Sequence, residues 1–126
     1  MSTVLICLFI GAIMPIILSW VGGYFRMQQF GKVDNKNPRG QSAALENAGA
    51  RAVAAQQNAW EALAVFVAGV VAFHARGGVS EVAGTLAIVW VAARILHAIF
   101  YLINQDVLRS LAFILSLGCA LALFFV

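Results

Sequence analysis

Residues 91–106 read "VAARILHAIFYLINQD". From Val91 to Ile103 every side chain is aliphatic or aromatic except Arg94 and His97. Such a run belongs in lipid or in a core, so the two ionisable groups inside it must face something other than hydrocarbon. The rest of the chain sets the context. Its 126 residues are 63% hydrophobic and only 10% charged, far from the balance of soluble domains. Four apolar stretches, Val4–Phe25, Ala43–Phe73, Val82–Ile103 and Val107–Val126, each reach the roughly 20 residues a helix needs to cross hydrocarbon. They are continuous and rich in Ala and Leu, whereas a membrane barrel strand alternates over about 10 residues. The expectation is an all-α membrane protein, a four-transmembrane-helix bundle forming one domain over residues 1–126. Its helices are expected over about 3–26, 43–74, 80–103 and 107–126. The first stretch lacks a basic n-region and exceeds the roughly 7–15 residues of a signal-peptide core, so it reads as a span.

The net charge of +3 is unevenly placed. The connection from Arg26 to Gln41 carries Arg26, Lys32, Lys36 and Arg39 against Asp34 alone, and the third connection leads into Arg109. The second connection, "HARGGVSE", has only Arg76 as a fixed positive charge. The positive-inside rule therefore puts the first and third connections in the cytoplasm. Orientation accounts for the basic loop without any nucleic-acid partner. Pro38 and Gly40 predict a turn, after which Ser42 is expected to cap the second helix with Glu46 near its first turn. Cys7 and Cys119 lie in apolar spans and read as small hydrophobes rather than as metal ligands or a disulfide.

At 100° per residue, Arg51, Asn58 and Glu61 share a sector of about 80° on the second helix. Arg94, His97 and Tyr101, at i, i+3 and i+7, share about 60° on the third. Counted from the "ARGGVS" turn, Glu61 and Arg94 each lie about 20 Å deep at 1.5 Å per residue, so they are level. Asn58 and His97 follow, then Tyr101, with Arg51 and Arg109 near the surface. A mid-span Arg and Glu each cost at least about 2.5–3.5 kcal/mol on insertion scales and usually pair, so a Glu61–Arg94 ion pair is expected, within or between subunits. Such a pair could be purely structural. It would not require the other polar residues to extend the same column, which suits a cleft for an anionic polar ligand. Taken singly the residues are weak signals: a lone His97 is commonly a satisfied core histidine, and two distant histidines make no metal site.

The stretches "RAVAAQQNAWEALAVF" and "ARILHAIFYLINQDVLRS" resemble the superfamily of membrane-associated proteins in eicosanoid and glutathione metabolism, MAPEG. The matching elements are Asn58-x-x-Glu61, then Arg94-x-x-His97-x-x-x-Tyr101, then Arg109-Ser110 at the start of the last helix. The resemblance implies a homotrimer with glutathione as co-substrate in a cleft between subunits, open to the cytoplasm. It makes Arg109 the catalytic residue that stabilises the thiolate. Arg51, Asn58, Glu61, Arg94, His97, Tyr101 and Ser110 are then the binding set, with Arg26 reaching a neighbour's cleft. The implied activity is that of a glutathione (or related thiol) transferase or peroxidase acting on a hydrophobic, membrane-dissolved electrophile in a bacterial inner membrane. The sequence departs from the pattern at Ala54, where glutathione-binding members commonly carry an arginine, and at Gln57, where some of them carry another. Two other readings stand beside this one: a non-catalytic lipid-binding or scaffolding trimer, and a small transporter. The second is disfavoured because arginines accompany the intramembrane Glu.

Overall fold

The computed structural model describes all residues 1–126 and contains helices and no strands. Helix α1 spans Thr3–Phe30, α2 Pro38–Ala43, α3 Ala48–Ala75, α4 Ala83–Leu102 and α5 Asp106–Ala122. Three of them, α1, α3 and α4, are long and apolar enough to cross a membrane, which makes this a multi-pass membrane protein. Four spans were the expectation; α5, with 17 residues, covers about 26 Å at 1.5 Å per residue and falls short of the same length.

The helix boundaries correct the sequence reading in five places, one of them the end of α5, which stops at Ala122 rather than 126. α1 continues past residue 26 through "MQQ", all good helix formers, and stops where Gly31 turns left-handed (φ 76°) and donates its N–H to the Met27 carbonyl. The turn expected at Pro38 is instead the first residue of α2, a position where proline's missing N–H costs nothing. Ser42 does not cap the next helix, and Glu46 is not in its first turn. The chain bends between α2 and α3, with Asn47 at a positive φ of 54°, and α3 starts at Ala48 rather than 43. Gln29 holds this bend: its Nε2 donates to the Ala44 carbonyl at 3.1 Å and its Oε1 accepts from the Glu46 N–H at 3.0 Å. α4 begins at Ala83 rather than 80, because Ser80 Oγ accepts from the Val82 N–H and closes a turn first.

α3 and α4 form the centre. α1 and α5 each pack on both of them and do not touch each other, so they lie on opposite flanks. The half of the bundle nearer the α3–α4 turn holds the main apolar core, with Val4, Cys7, Phe66, Val70, Phe73, Trp90 and Cys119 in one cluster; both cysteines are free. Phe66 and Trp90 stack at 3.9 Å with 8° between their planes. Close approach there needs glycine: a Cβ on Gly11 would come within 2.6 Å of the Trp90 ring, and one on Gly69 would run into the Ala120 carbonyl of α5. The other half is filled by smaller groups, Ala55 and Ala59 with Leu18, and Ala98 and Tyr101 pack against them. The polar side chains lie in this second half. Outward-facing Phe9, Ile17, Trp20 and Ile114 remain exposed, as expected of surfaces in contact with lipid.

Candidate functional site

Arg94 is only 3% exposed, because α4 is central and packed on three sides. Its Nη2 donates to Asn58 Oδ1 across the α3–α4 interface at 2.8 Å, while Nη1 has no protein partner. The Glu61–Arg94 ion pair does not form within the chain. Glu61 sits one helical turn beyond Asn58 but 60° round from it, and its side chain is exposed beside a small recess of about 120 Å³ lined also by Trp90, Phe113 and Ser116. A neutral amide thus replaces the carboxylate as partner. The buried guanidinium has no counter-charge within the chain.

One turn on, His97 is 2% exposed and its Nδ1 has no protein partner. Its ring meets the Tyr101 ring edge-on at 5.6 Å and approaches Phe113 of α5 at 6.5 Å. The Arg109 guanidinium then lies over the Tyr101 ring, 4.4 Å from its centre. That contact is a cation–π interaction, which fixes the position of Arg109 while leaving its N–H donors free. Arg109 is in the first turn of α5, where the helix dipole disfavours a cation, and Asp106 offsets this only in part. A residue held against its local preference is a functional candidate.

Asn58, His97, Tyr101, Arg109, Ser110, Phe113 and Ile114 line one cleft of about 440 Å³, inside the roughly 300–1,000 Å³ typical of small-molecule sites. No carboxylate and no cysteine is among its walls. Five of the nine residues singled out in the sequence therefore meet here, namely Asn58, His97, Tyr101, Arg109 and Ser110, and Arg94 joins through Asn58. Three do not. Arg51 donates through Nε and Nη2 to the Leu102 carbonyl at 3.3 and 3.2 Å, and so satisfies an orphan carbonyl at the C-terminus of α4. Arg26 donates to the Pro38 carbonyl at 3.4 Å and ties α1 to the first connection. Glu61 faces outward, as described. The sequence reading passed over Phe113 and Ile114, although Phe113 stands four residues after Arg109 and so shares its helix face. Phe113 also walls the Glu61 recess, which makes it the partition between the two spaces.

Arg94, His97 and Tyr101 on α4 and Arg109 in the first turn of α5 are the positions on which the resemblance noted in the sequence rests. A model of the MAPEG family matches residues 3–126, essentially the whole chain. The protein belongs to the MAPEG family. No curated protein and no solved structure matches it. For this MAPEG protein the cleft can supply one fixed cation, Arg109, with a phenol, an amide, a hydroxyl and an imidazole, and no acid opposed to them; Arg94 stands behind Asn58. Chemically, that set holds an anion and stabilises negative charge developing near Arg109.

Proposed function

We propose that this MAPEG protein binds glutathione or a related thiol in the Asn58–His97–Tyr101–Arg109 cleft and adds its thiolate to a hydrophobic electrophile, or uses it to reduce a hydrophobic peroxide. One observation carries the reading: three helices bring cationic and hydrogen-bonding groups around a single cleft whose walls contain no carboxylate. A free thiol with a pKa near 8.5 is mostly protonated at neutral pH, and a guanidinium beside it favours the nucleophilic thiolate. Arg109 fills that role. Arg94, through Asn58, adds positive charge, and His97 and Tyr101 orient the ligand. In the transferase reaction the thiolate's electron pair forms the new C–S bond and the leaving group departs with its own pair. In the peroxidase reaction two thiols become a disulfide while the peroxide O–O bond is reduced. Neither needs a nucleophile from the protein.

The homotrimer belongs to the same proposal. Glu61 is exposed at mid-span, where an unpaired carboxylate is costly, so a second copy covering it would relieve the cost. The neighbour would complete the cleft at the far end from Arg109, with Glu61 for the ligand's amine and Arg51 or Arg26 for its carboxylates. The first and third connections then face the cytoplasm of a bacterial inner membrane, where soluble thiols are supplied. The departure at Ala54 favours a second reading, a non-catalytic lipid-binding or scaffolding trimer, because a charge-assisted carboxylate contact is missing at that position. Calorimetry of the detergent-purified protein with glutathione, and with Arg109→Ala alongside, separates the two. Saturable binding with increased thiolate absorbance in the wild type alone supports the transferase or peroxidase reading. No binding at millimolar thiol by a folded protein refutes it and supports the second.

A further inference from the structure

The first connection holds the whole charge imbalance of the protein. Residues 26–41 contain four cations and one acid, a net +3, which equals the net charge of the entire chain. The remaining residues balance to zero, with Arg51, Arg76, Arg94 and Arg109 against Glu46, Glu61, Glu81 and Asp106. The segment is also folded. The Gln41 side chain donates to the Lys32 carbonyl at 2.9 Å and accepts from the Asp34 N–H at 2.9 Å, cross-linking the two ends of the loop. The loop's one carboxylate is occupied locally: Asp34 Oδ1 accepts from the backbone N–H of Lys36 and of Asn37 at 3.0 and 3.1 Å. Arg26 ties the platform to α1 through the Pro38 carbonyl. Lys32, Lys36 and Arg39 are all exposed, and none of them makes a side-chain hydrogen bond or ion pair within the chain.

Depth decides what meets these cations. α1 has 28 residues, about 42 Å at 1.5 Å per residue, whereas the hydrocarbon core is about 30 Å thick. Its last turns therefore pass through the headgroup layer. The exposed aromatic residues Trp20, Tyr24 and Phe30 mark that level, where interfacial belts sit. The platform begins at Gly31, directly beyond them. Three free cations on a folded loop at phosphate height fit the headgroups of lipids with a net negative charge.

We infer that the Lys32–Lys36–Arg39 platform is a binding surface for anionic phospholipid headgroups, selecting them over zwitterionic lipids from the surrounding leaflet. The inference is independent of any thiol chemistry in the cleft. Each cation near a charged membrane surface favours the anionic lipid by about fivefold, so the three together produce a marked enrichment.

The test is native mass spectrometry of the full-length protein released from micelles containing equal amounts of a phosphatidylglycerol and a phosphatidylcholine of matched chains. The wild type is expected to retain the phosphatidylglycerol preferentially. The triple variant Lys32→Gln, Lys36→Gln, Arg39→Gln is expected to approach parity. Arg76→Gln, which removes a cation at the α3–α4 turn, is expected to keep the wild-type preference. The triple variant should retain its helical circular dichroism, since none of the three side chains makes an internal bond. Equal retention of both lipids by the wild type overturns the inference, as does undiminished preference in a folded triple variant. Displacement of the lipid by millimolar glycerol phosphate would also overturn it, by showing a site for soluble phosphate instead.

Discussion

Asn58→Ala should destabilise the bundle by an amount set by the one hydrogen bond that Arg94 makes. The bond is charge-assisted, 2.8 Å long and placed on a residue only 3% exposed. Hydrogen bonds to charged groups contribute about 1.5–3 kcal/mol, though interhelical bonds measured by double-mutant cycles in a membrane protein average about 0.6 and reach about 1.7. The guanidinium has no second partner on Nη1, so removing Asn58 leaves both terminal nitrogens unpaired. That argues for the upper part of the membrane range, about 1.5–2 kcal/mol. Arg94→Met keeps the length of the side chain and removes the charge. In that background Asn58→Ala should cost much less, because only a neutral amide is lost. The coupling energy of the cycle is therefore expected near 1–2 kcal/mol. It can be measured by reversible unfolding in mixed lipid–detergent bicelles, with helix content followed by circular dichroism. A coupling below about 0.3 kcal/mol would refute the reasoning, since Arg94 would then be satisfied elsewhere, for instance by Glu61 of another copy.

Arg109→Ala should lower kcat/KM for thiol addition by about 10²–10³-fold, the usual loss on removing a group that stabilises developing negative charge, with helix content unchanged; steady-state kinetics with a hydrophobic electrophile would check it. Gly69→Ala should destabilise by about 1–3 kcal/mol, because the new methyl meets the Ala120 carbonyl and a backbone atom cannot yield cheaply. Gly22→Ala, whose methyl would meet nothing within 4 Å, should instead stabilise α1 by up to about 1 kcal/mol through helix propensity; unfolding of the two variants side by side is the check. The Asn37 backbone N–H, followed by that of Lys36 and the field of Lys32, holds the Asp34 carboxyl below its ordinary value. A carboxyl lowered in the folded state lends stability that is fully present above its unfolded pKa and is lost as pH falls through the folded one. The protection of the Lys36 and Asn37 amides, taken as the ratio of intrinsic to observed exchange rate, should therefore be present at neutral pH and be lost below about pH 4, and Asp34→Ala should remove that dependence.

Much of the protein was legible from residue types alone. The approximate extent of the three long helices followed from apolar runs, because hydrocarbon thickness sets a length that a hydropathy pattern must match, whereas the fourth run gave a helix too short for the same length. The grouping of Arg94, His97 and Tyr101 followed from 3.6-residue periodicity, and the structure places His97 and Tyr101 on one cleft with Arg109. Helix ends were less accessible. Pro38 suits either a turn or the first residue of a helix, and only the backbone hydrogen bonds of residues 37–45 choose between them. Asn47 likewise carries no signal that it, rather than Ser42, precedes α3.

Which groups pair across helices was decided by tertiary structure alone. Asn58 and Glu61 stand three residues apart and 60° apart on α3, and periodicity orders them around that helix without saying how far it is rotated against α4. The rotation comes from packing of the other half of the bundle, where Phe66 stacks on Trp90, Trp90 fills the space above Gly11, and Gly69 admits the α5 backbone. Those apolar contacts turn Asn58 towards Arg94 and leave Glu61 outside. The sequence by itself determined that charge must be sheltered within the membrane; close packing of side chains more than a helical turn away determined which neighbour shelters it.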